Sequence, residues 1–325
     1  MNWTRDYIPS EKTIWQGRQD VSRNAYYFQV MQLLDLTHQP EKNTEGPGFA
    51  LLGFQCDAGI ARNLGRTGAA QGPDNIRACL AKLAIPATDV TYYDAGDIIC
   101  RDDGLEAAQA ALAETIALLL NQKLTPIVLG GGHELAYGHY LGLANQHQRL
   151  AIVNFDAHFD MRPLMDETRG NSGTPFLQIA ETCKNLRKSF HYYCLGVQPA
   201  SNTNVLFETA KAHQVQYLLA DDFHLAWHKT EQMVKQIIAD YEAIYISVCL
   251  DVFASAFAPG VSAPQPLGVL PWQIVPLLRQ LSASGKVVSY DIAELSPPYD
   301  VDQRTAKLAA YLIDEIMRHH RNLNS

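Results

Sequence analysis

From Pro47 onward, short apolar runs alternate with longer stretches of helical period, and this alternation restricts the fold more than any other feature of the chain. The short runs fall at 49–54, 90–94, 126–129, 150–155, 189–195, 215–219, 243–250 and 286–292. Their length and their β-branched and aromatic content predict strands. Helical periodicity occupies 73–83, 105–122, 134–146, 204–213, 231–241, 272–282 and 301–318. Strands separated by helices need crossover connections, which give a parallel sheet with both faces covered. No linker, internal repeat or low-complexity tract interrupts the pattern, so 48–325 reads as one domain. Residues 1–47 are polar and irregular, with scattered aromatics, and read as an arm packed on that domain.

Composition removes several functions. Lys and Arg number 26 against 34 Asp and Glu, a formal charge of −8. That balance argues against general nucleic-acid or anionic-membrane binding, which calls for basic patches. The six cysteines include no C-x-x-C pair, which disfavours a zinc ribbon or a thioredoxin-type redox motif. The richest apolar helix, 105–120, carries Glu106 and Glu114, so a membrane span is not expected. The opening MNWTRDYIPSEK lacks the apolar run of a secretory signal. The expectation is a cytoplasmic protein with mostly free thiols.

In parallel α/β sheets the working groups lie beyond the carboxyl ends of the strands. Gly130-Gly131-Gly132-His133-Glu134 follows the run at 126–129, and Asp156-Ala157-His158-Phe159-Asp160 follows 150–155. The run at 243–250 ends in Ser247-Val248-Cys249-Leu250-Asp251. In extended chain, Asp156, His158 and Asp160 would point to one side and converge on one cation. Burying such carboxylates without a cation is expensive. The oxygen majority suits Mn2+, with Fe2+ and Zn2+ as alternatives, and there are enough carboxylates for two ions about 3.5–4 Å apart. His133 alone could instead pack or cap, and the glycine run could cradle a phosphate, although it lacks the Lys-Ser/Thr of a P-loop. Cys249 is either a ligand or a packed thiol.

These three clusters resemble the metal signatures of the ureohydrolase (arginase/agmatinase) superfamily. The resemblance runs from about residue 49 to 320 and includes GRTGAAQGPDNIR (65–77), APGVSAP (258–264) and DIAELSPPYDVDQRTAKLAA (291–310). Gly-Gly-Gly-His-Glu, Asp160-Met161-Arg162, 172–176 and 261–264 are similar to the branch acting on N-formimidoyl-L-glutamate. The resemblance implies a three-layer α/β/α fold around an eight-stranded parallel sheet, a homo-oligomer of trimer or hexamer type, and two Mn2+ ions. It implies His133, Asp156, His158, Asp160, Cys249 and Asp251 as the metal ligands, with Asp156 bridging. The family pattern is Ser-x-Asp-x-Asp, and Cys249 stands where its first aspartate bridges the metals. A thiolate is softer than a carboxylate and disfavours Mn2+ relative to Zn2+ or Fe2+, which leaves one metal position open.

The activity implied is hydrolysis of N-formimidoyl-L-glutamate to L-glutamate and formamide, a step of histidine degradation. Asp160 would carry the proton and Glu294 would face the formimino nitrogens. The substrate's two carboxylates call for cations, and Arg66 and Arg162 are the candidates, with Asn63, Asn171 and Ser172 as polar contacts. Either arginine could instead be a surface residue paired to an acid. Two other readings remain: a ureohydrolase for agmatine, arginine or a guanidino acid, and a metal-poor homologue without catalysis.

Overall fold

The computed structural model describes residues 3–18, 22–38, 48–86 and 90–321. Parts of the arm, 1–2, 19–21 and 39–47, lie outside these. Ten strands form one sheet: β1 (Tyr7–Ile8), β2 (Gln32–Leu33), β3 (Gly48–Gln55), β4 (Thr91–Ile99), β5 (Leu124–Gly130), β6 (Leu150–Phe155), β7 (His191–Val197), β8 (Gln216–Leu219), β9 (Ala243–Cys249) and β10 (Val287–Ala293). Their order is β1-β4-β3-β5-β10-β9-β6-β7-β8, with β2 also pairing β4. The eight strands expected from sequence form the parallel core.

The eight-stranded expectation needs one correction. The arm adds two strands of two residues each along β4, β1 antiparallel and β2 parallel. Runs of two residues carry no periodic signal, and these are strands only because β4 offers them an unpaired edge. Other arm residues reach deeper. Trp15 Nε1 donates to Asp94 Oδ2 at 2.8 Å, and the buried Tyr27 hydroxyl donates to Asp314 Oδ1 at 3.0 Å.

Alternation along the strands creates the three layers. In β3, Phe49 and Leu51 face one apolar cluster while Ala50, Leu52 and Phe54 face another. In β6, Ala151, Val153 and Phe155 face the first, and Leu150 and Ile152 the second. The first cluster is closed by the helices Gly72–Leu80, Trp227–Asp240, Pro271–Ser282 and Arg304–His319. Leu105–Asn121, Leu135–Ala144, Pro175–Asn185 and Asn204–Ala212 close the second. Both faces of the sheet are dry, which is why its strands read as nearly continuous apolar runs. Among the described residues, no helix is long and apolar enough to cross a membrane.

Candidate metal centre

Four adjacent strands, β5, β10, β9 and β6, deliver the candidate residues at their carboxyl ends. Strands β5 and β6 are consecutive in sequence but separated in space by β10 and β9. Such a break in order opens the crevice in which α/β sheets bind ligands. The register holds the ends level: Ala293 pairs with Cys249, and Phe155 with Val248. His133, Glu294, Cys249 with Asp251, and Asp156 to Asp160 therefore meet above the middle of the sheet.

The glycines after β5 permit the first approach. A Cβ on Gly131 would lie 2.2 Å from the Cys56 carbonyl oxygen, and one on Gly132 would lie 2.0 Å from Glu134 Oε2. Only glycine fits there. The turn brings the His133 backbone N–H to Glu294 Oε1 at 2.9 Å. Its ring Nδ1 lies 2.9 Å from Asp160 Oδ2 and 3.0 Å from Asp156 Oδ2.

Asp156, His158 and Asp160 converge, but not through the pleat expected of extended chain. Strand β6 ends at Phe155. Asp156 Oδ1 then accepts the His158 N–H at 2.7 Å, folding the segment back on itself. Asp160 takes a left-handed backbone, φ 48°, and so turns its carboxylate toward His133. His158 Nδ1 reaches Asp251 Oδ2 at 3.0 Å and Asp156 Oδ1 at 3.5 Å. Glu294 also has positive φ, 73°, an unfavourable backbone for a long side chain of the kind that clusters at functional sites.

Two donor groups result. The donor atoms of His133, Asp156 and Cys249 lie within 4.8 Å of one another, as do those of Asp156, His158 and Asp251. Asp156 belongs to both. The residues fit a pair of cations on two further grounds. Asp251 Oδ1 is buried and has no hydrogen-bond partner among the described residues. Four carboxylates, on Asp156, Asp160, Asp251 and Glu294, crowd two imidazoles in a site where all but Asp160 and His158 are buried, a surplus of negative charge that invites counter-charge. Burial alone would lower the pKa of both imidazoles, yet the neighbouring carboxylates hold them well above the ordinary value. Burial pushes the Glu294 carboxyl well up, with the charges of Glu134 and Asp251 adding to it. Burial and the charge of Asp156 raise Asp160 to about 6. Cys249, 1% exposed, is pushed well up by burial and then by Asp156 and Asp251, so its sulfur is a neutral thiol until a cation sits against it.

Behind the centre runs a buried polar chain that sequence patterning does not reveal. His133 Nε2 lies 2.9 Å from Ser247 Oγ, which donates to Asp291 Oδ1 at 2.6 Å. Asp291 Oδ2 receives the Tyr245 hydroxyl and lies 2.8 Å from His139 Nδ1. His139 Nε2 meets Ser289 Oγ at 2.6 Å, and Ser289 donates to the Pro126 carbonyl.

A cavity of about 200 Å³ opens above the centre. Its wall includes His158, Asp160, Cys249, Asp251 and Glu294, and its rim Asn63, Arg162 and Ser172. Asn63 Nδ2 donates to Ser172 Oγ at 3.1 Å. The Arg162 guanidinium has no hydrogen-bond or ion-pair partner among the described residues, whereas its backbone N–H bonds Gly173. Arg66 does not line the cavity. It donates to the carbonyls of Ser262 and Val261 and lies 4.2 Å over the Tyr299 ring. Asn171 also stays off the cavity wall; its Oδ1 accepts the Gly173 N–H at 2.9 Å and shapes the turn that carries Ser172. Sequence reasoning missed Ser201, Asn202 and Leu206, which line the far side. Asn202 clasps the metal-motif loop, donating to the Ala157 carbonyl at 2.8 Å and accepting the Phe159 N–H at 3.1 Å.

Comparisons with known proteins give the chain's family and fold. Formimidoylglutamase of Legionella pneumophila (strain Lens) is 46% identical over 96% of this chain and 97% of its own. The crystal structure of formimidoylglutamase from Bacillus subtilis subsp. subtilis str. 168 superposes with a TM-score of 0.81 at 22% identity, covering 93% of this chain and 94% of that one. A Trypanosoma cruzi formiminoglutamase, solved with Mn2+2, gives a TM-score of 0.75 at 23% identity, covering 87% and 95%. At those identities the two structures speak for the fold alone. Residues 47–318, which carry every candidate ligand described above, match the Arginase family, and with the Legionella relative this shows that the chain belongs to that family.

Proposed function

We propose that the protein hydrolyses N-formimidoyl-L-glutamate to L-glutamate and formamide at a centre of two divalent cations. The observation that carries the reading is Asp156, shared by two donor groups whose members Cys249, His158 and Asp251 line a cavity that also holds the unpaired Arg162. The name of the 46% identical relative supports the substrate. His133, Asp156, Asp160 and Cys249 would hold one cation, and Asp156, His158 and Asp251 the other. The second set, two carboxylates and an imidazole, suits Mn2+.

Cations bound there lower the pKa of water toward neutrality and stabilise developing negative charge. The chain's own groups do the rest. Asp160, which lines the cavity beside His133, is placed to accept a proton from the attacking water and pass it to the departing glutamate nitrogen. The water oxygen bonds to the formimino carbon, the bond from that carbon to the glutamate nitrogen breaks, and formamide leaves. Glu294 accepts the His133 N–H through one oxygen, which leaves the other for a formimino N–H. Arg162 suits a bidentate contact with a substrate carboxylate, flanked by Asn63 and Ser172.

Purified protein loaded with Mn2+ should release glutamate and formamide in equal amounts from N-formimidoyl-L-glutamate. Urea from a guanidino compound without formamide, or binding without turnover, would overturn the reading. It extends to a homo-oligomer. Leu225, Leu267 and Trp272 are 84%, 80% and 79% exposed, large apolar side chains available for contact. A monomer by sedimentation at micromolar concentration would remove that part.

A further inference from the structure

Cys249 ends β9 with its sulfur inside the first donor group, together with His133 and Asp156. Buried Cys79 lies in an apolar cluster away from any donor group, and the buried thiols nearer polar groups have partners. Cys183 Sγ lies 3.0 Å from the Tyr140 hydroxyl, and Cys194 Sγ donates to the His158 carbonyl at 3.2 Å. Cys249 Sγ has no hydrogen-bond partner among the described residues, although the residue is 1% exposed and borders the cavity. Two residues on, the buried Asp251 Oδ1 is likewise without a partner. Two residues that line one cavity therefore each hold an unpartnered atom, and they belong to different donor groups.

The two groups differ in chemistry. His133, Asp156 and Cys249 supply one nitrogen, one carboxylate and one sulfur, with Asp160 2.9 Å from the His133 ring. A set that includes a thiolate suits a four-coordinate thiophilic cation, the fourth position open to water or a neighbouring carboxylate. Asp156, His158 and Asp251 supply oxygen and nitrogen only, a set that favours Mn2+. The hydrogen-bond chain behind the centre aims the first group. Ser247 spends its proton on Asp291, so it accepts from His133 Nε2, and a cation that displaced the Nδ1 proton would meet a free electron pair there, beside the Asp156 and Asp160 carboxylates.

We propose that Cys249 is a thiolate ligand and that it makes the centre asymmetric, selecting Zn2+ or another thiophilic divalent cation beside an oxygen-preferring one. On coordination the sulfur–metal bond forms and the thiol proton leaves to solvent, with no change of oxidation state. A centre of this kind binds Zn2+ at one position and Mn2+ at the other rather than two equivalent ions. The proposal rests on the metallohydrolase reading for its setting, but its test does not use substrate.

Metal-free protein titrated with Co2+ should develop sulfur-to-cobalt charge-transfer absorption in the near ultraviolet. Cys249→Ser, which keeps the size and loses the soft donor, should lose that band entirely. Dialysis against Zn2+ with a graded excess of Mn2+, to offset the generally tighter binding of Zn2+, followed by elemental analysis should reach a plateau of one Zn and one Mn per chain in the wild type. Cys249→Asp should shift the retained ratio toward Mn. If Cys249→Ser fails to fold by circular dichroism, the wild-type band and the Cys249→Asp ratio still decide. Absence of the wild-type band, or the same ratio in wild type and Cys249→Asp, would overturn the proposal. Formamide release is assayed separately on Mn2+-loaded wild type, so loss of the substrate reading would leave the ligand result intact.

Discussion

Ser247 holds His133 by its far nitrogen, Oγ to Nε2 at 2.9 Å, on the side of the ring away from Asp156 and Asp160. Asp291 accepts the serine proton at 2.6 Å and so gives the contact its direction. With a cation at Nδ1, the ring would keep its proton on Nε2, donated to Ser247, and turn the Nδ1 electron pair to the metal. Partners of this kind orient metal-binding histidines, and losing one typically costs about 10- to 100-fold in affinity. Ser247→Ala should weaken binding at the His133 position by roughly that factor and leave the His158 position nearly unchanged. Competition with a chelating dye would measure both. Equal loss at the two positions would mean that Ser247 supports the whole strand end and not the His133 ring.

Asp156 and Asp251 should differ in the number of ions they control. Asp156 serves both donor groups, and Asp251 only one. Asp156→Asn should therefore remove both equivalents of bound metal, and Asp251→Asn one. Asparagine keeps the shape but lacks the charge that the crowded site needs. Elemental analysis after gel filtration counts the ions; loss of a single equivalent in Asp156→Asn would show that its carboxylate is not shared.

The two arginines expected to bind substrate occupy different situations. Arg162 has a free guanidinium at the cavity, while Arg66 is committed to two carbonyls and the Tyr299 face. Hydrogen bonds to charged groups are worth about 1.5–3 kcal/mol, so Arg162→Ala should raise KM roughly ten- to a hundredfold with metal content unchanged. Arg66→Ala should chiefly lower thermal stability, because it unties the 261–262 backbone from the 65–66 turn. Steady-state kinetics beside thermal melts would separate the two. A KM effect confined to Arg66→Ala would reverse their roles.

Much of this arrangement is legible in sequence because alternation and strand-end clustering are local. All eight core strands overlap their expected runs. The metal motifs lie where strand ends place them, although Asp156 to Asp160 converge through a folded loop and not a pleat. What escapes is non-local. The run expected at 90–94 continues as β4 to Ile99, since Asp94, Gly96 and Asp97 look like a turn. In the fold the fully buried Arg77 donates to Asp94 at 3.0 Å, to Asp97 at 2.7 Å and to the Gly96 carbonyl at 2.8 Å, which makes strand of that segment. Asn202 and Leu206 reach the cavity from beyond β7, and no spacing rule connects them to it. The helix Pro175–Asn185 is a plainer omission. Its proline at the first turn and its buried Phe176, Ile179, Ala180 and Cys183 carry a readable signal.

One contact far from the centre sets a pH-dependent part of stability. Arg279, on the helix Pro271–Ser282, donates to both carboxylate oxygens of Glu315 on Arg304–His319, at 2.6 and 2.8 Å. These bonds hold the Glu315 carboxyl below its ordinary pKa. A carboxyl lowered by folding adds stability above its unfolded pKa of about 4.3, and the gain disappears as pH falls through the lower folded value. Arg279 is half exposed, so solvent screens the pair, and the gain at neutral pH should stay within about 0.2–1 kcal/mol. Arg279→Met should therefore unfold slightly earlier in urea at pH 7. The gap to wild type should narrow below about pH 4 and shrink in high salt. A gap that is constant from pH 7 to pH 3 would mean that the arginine stem packs the two helices together, and that its charge contributes nothing.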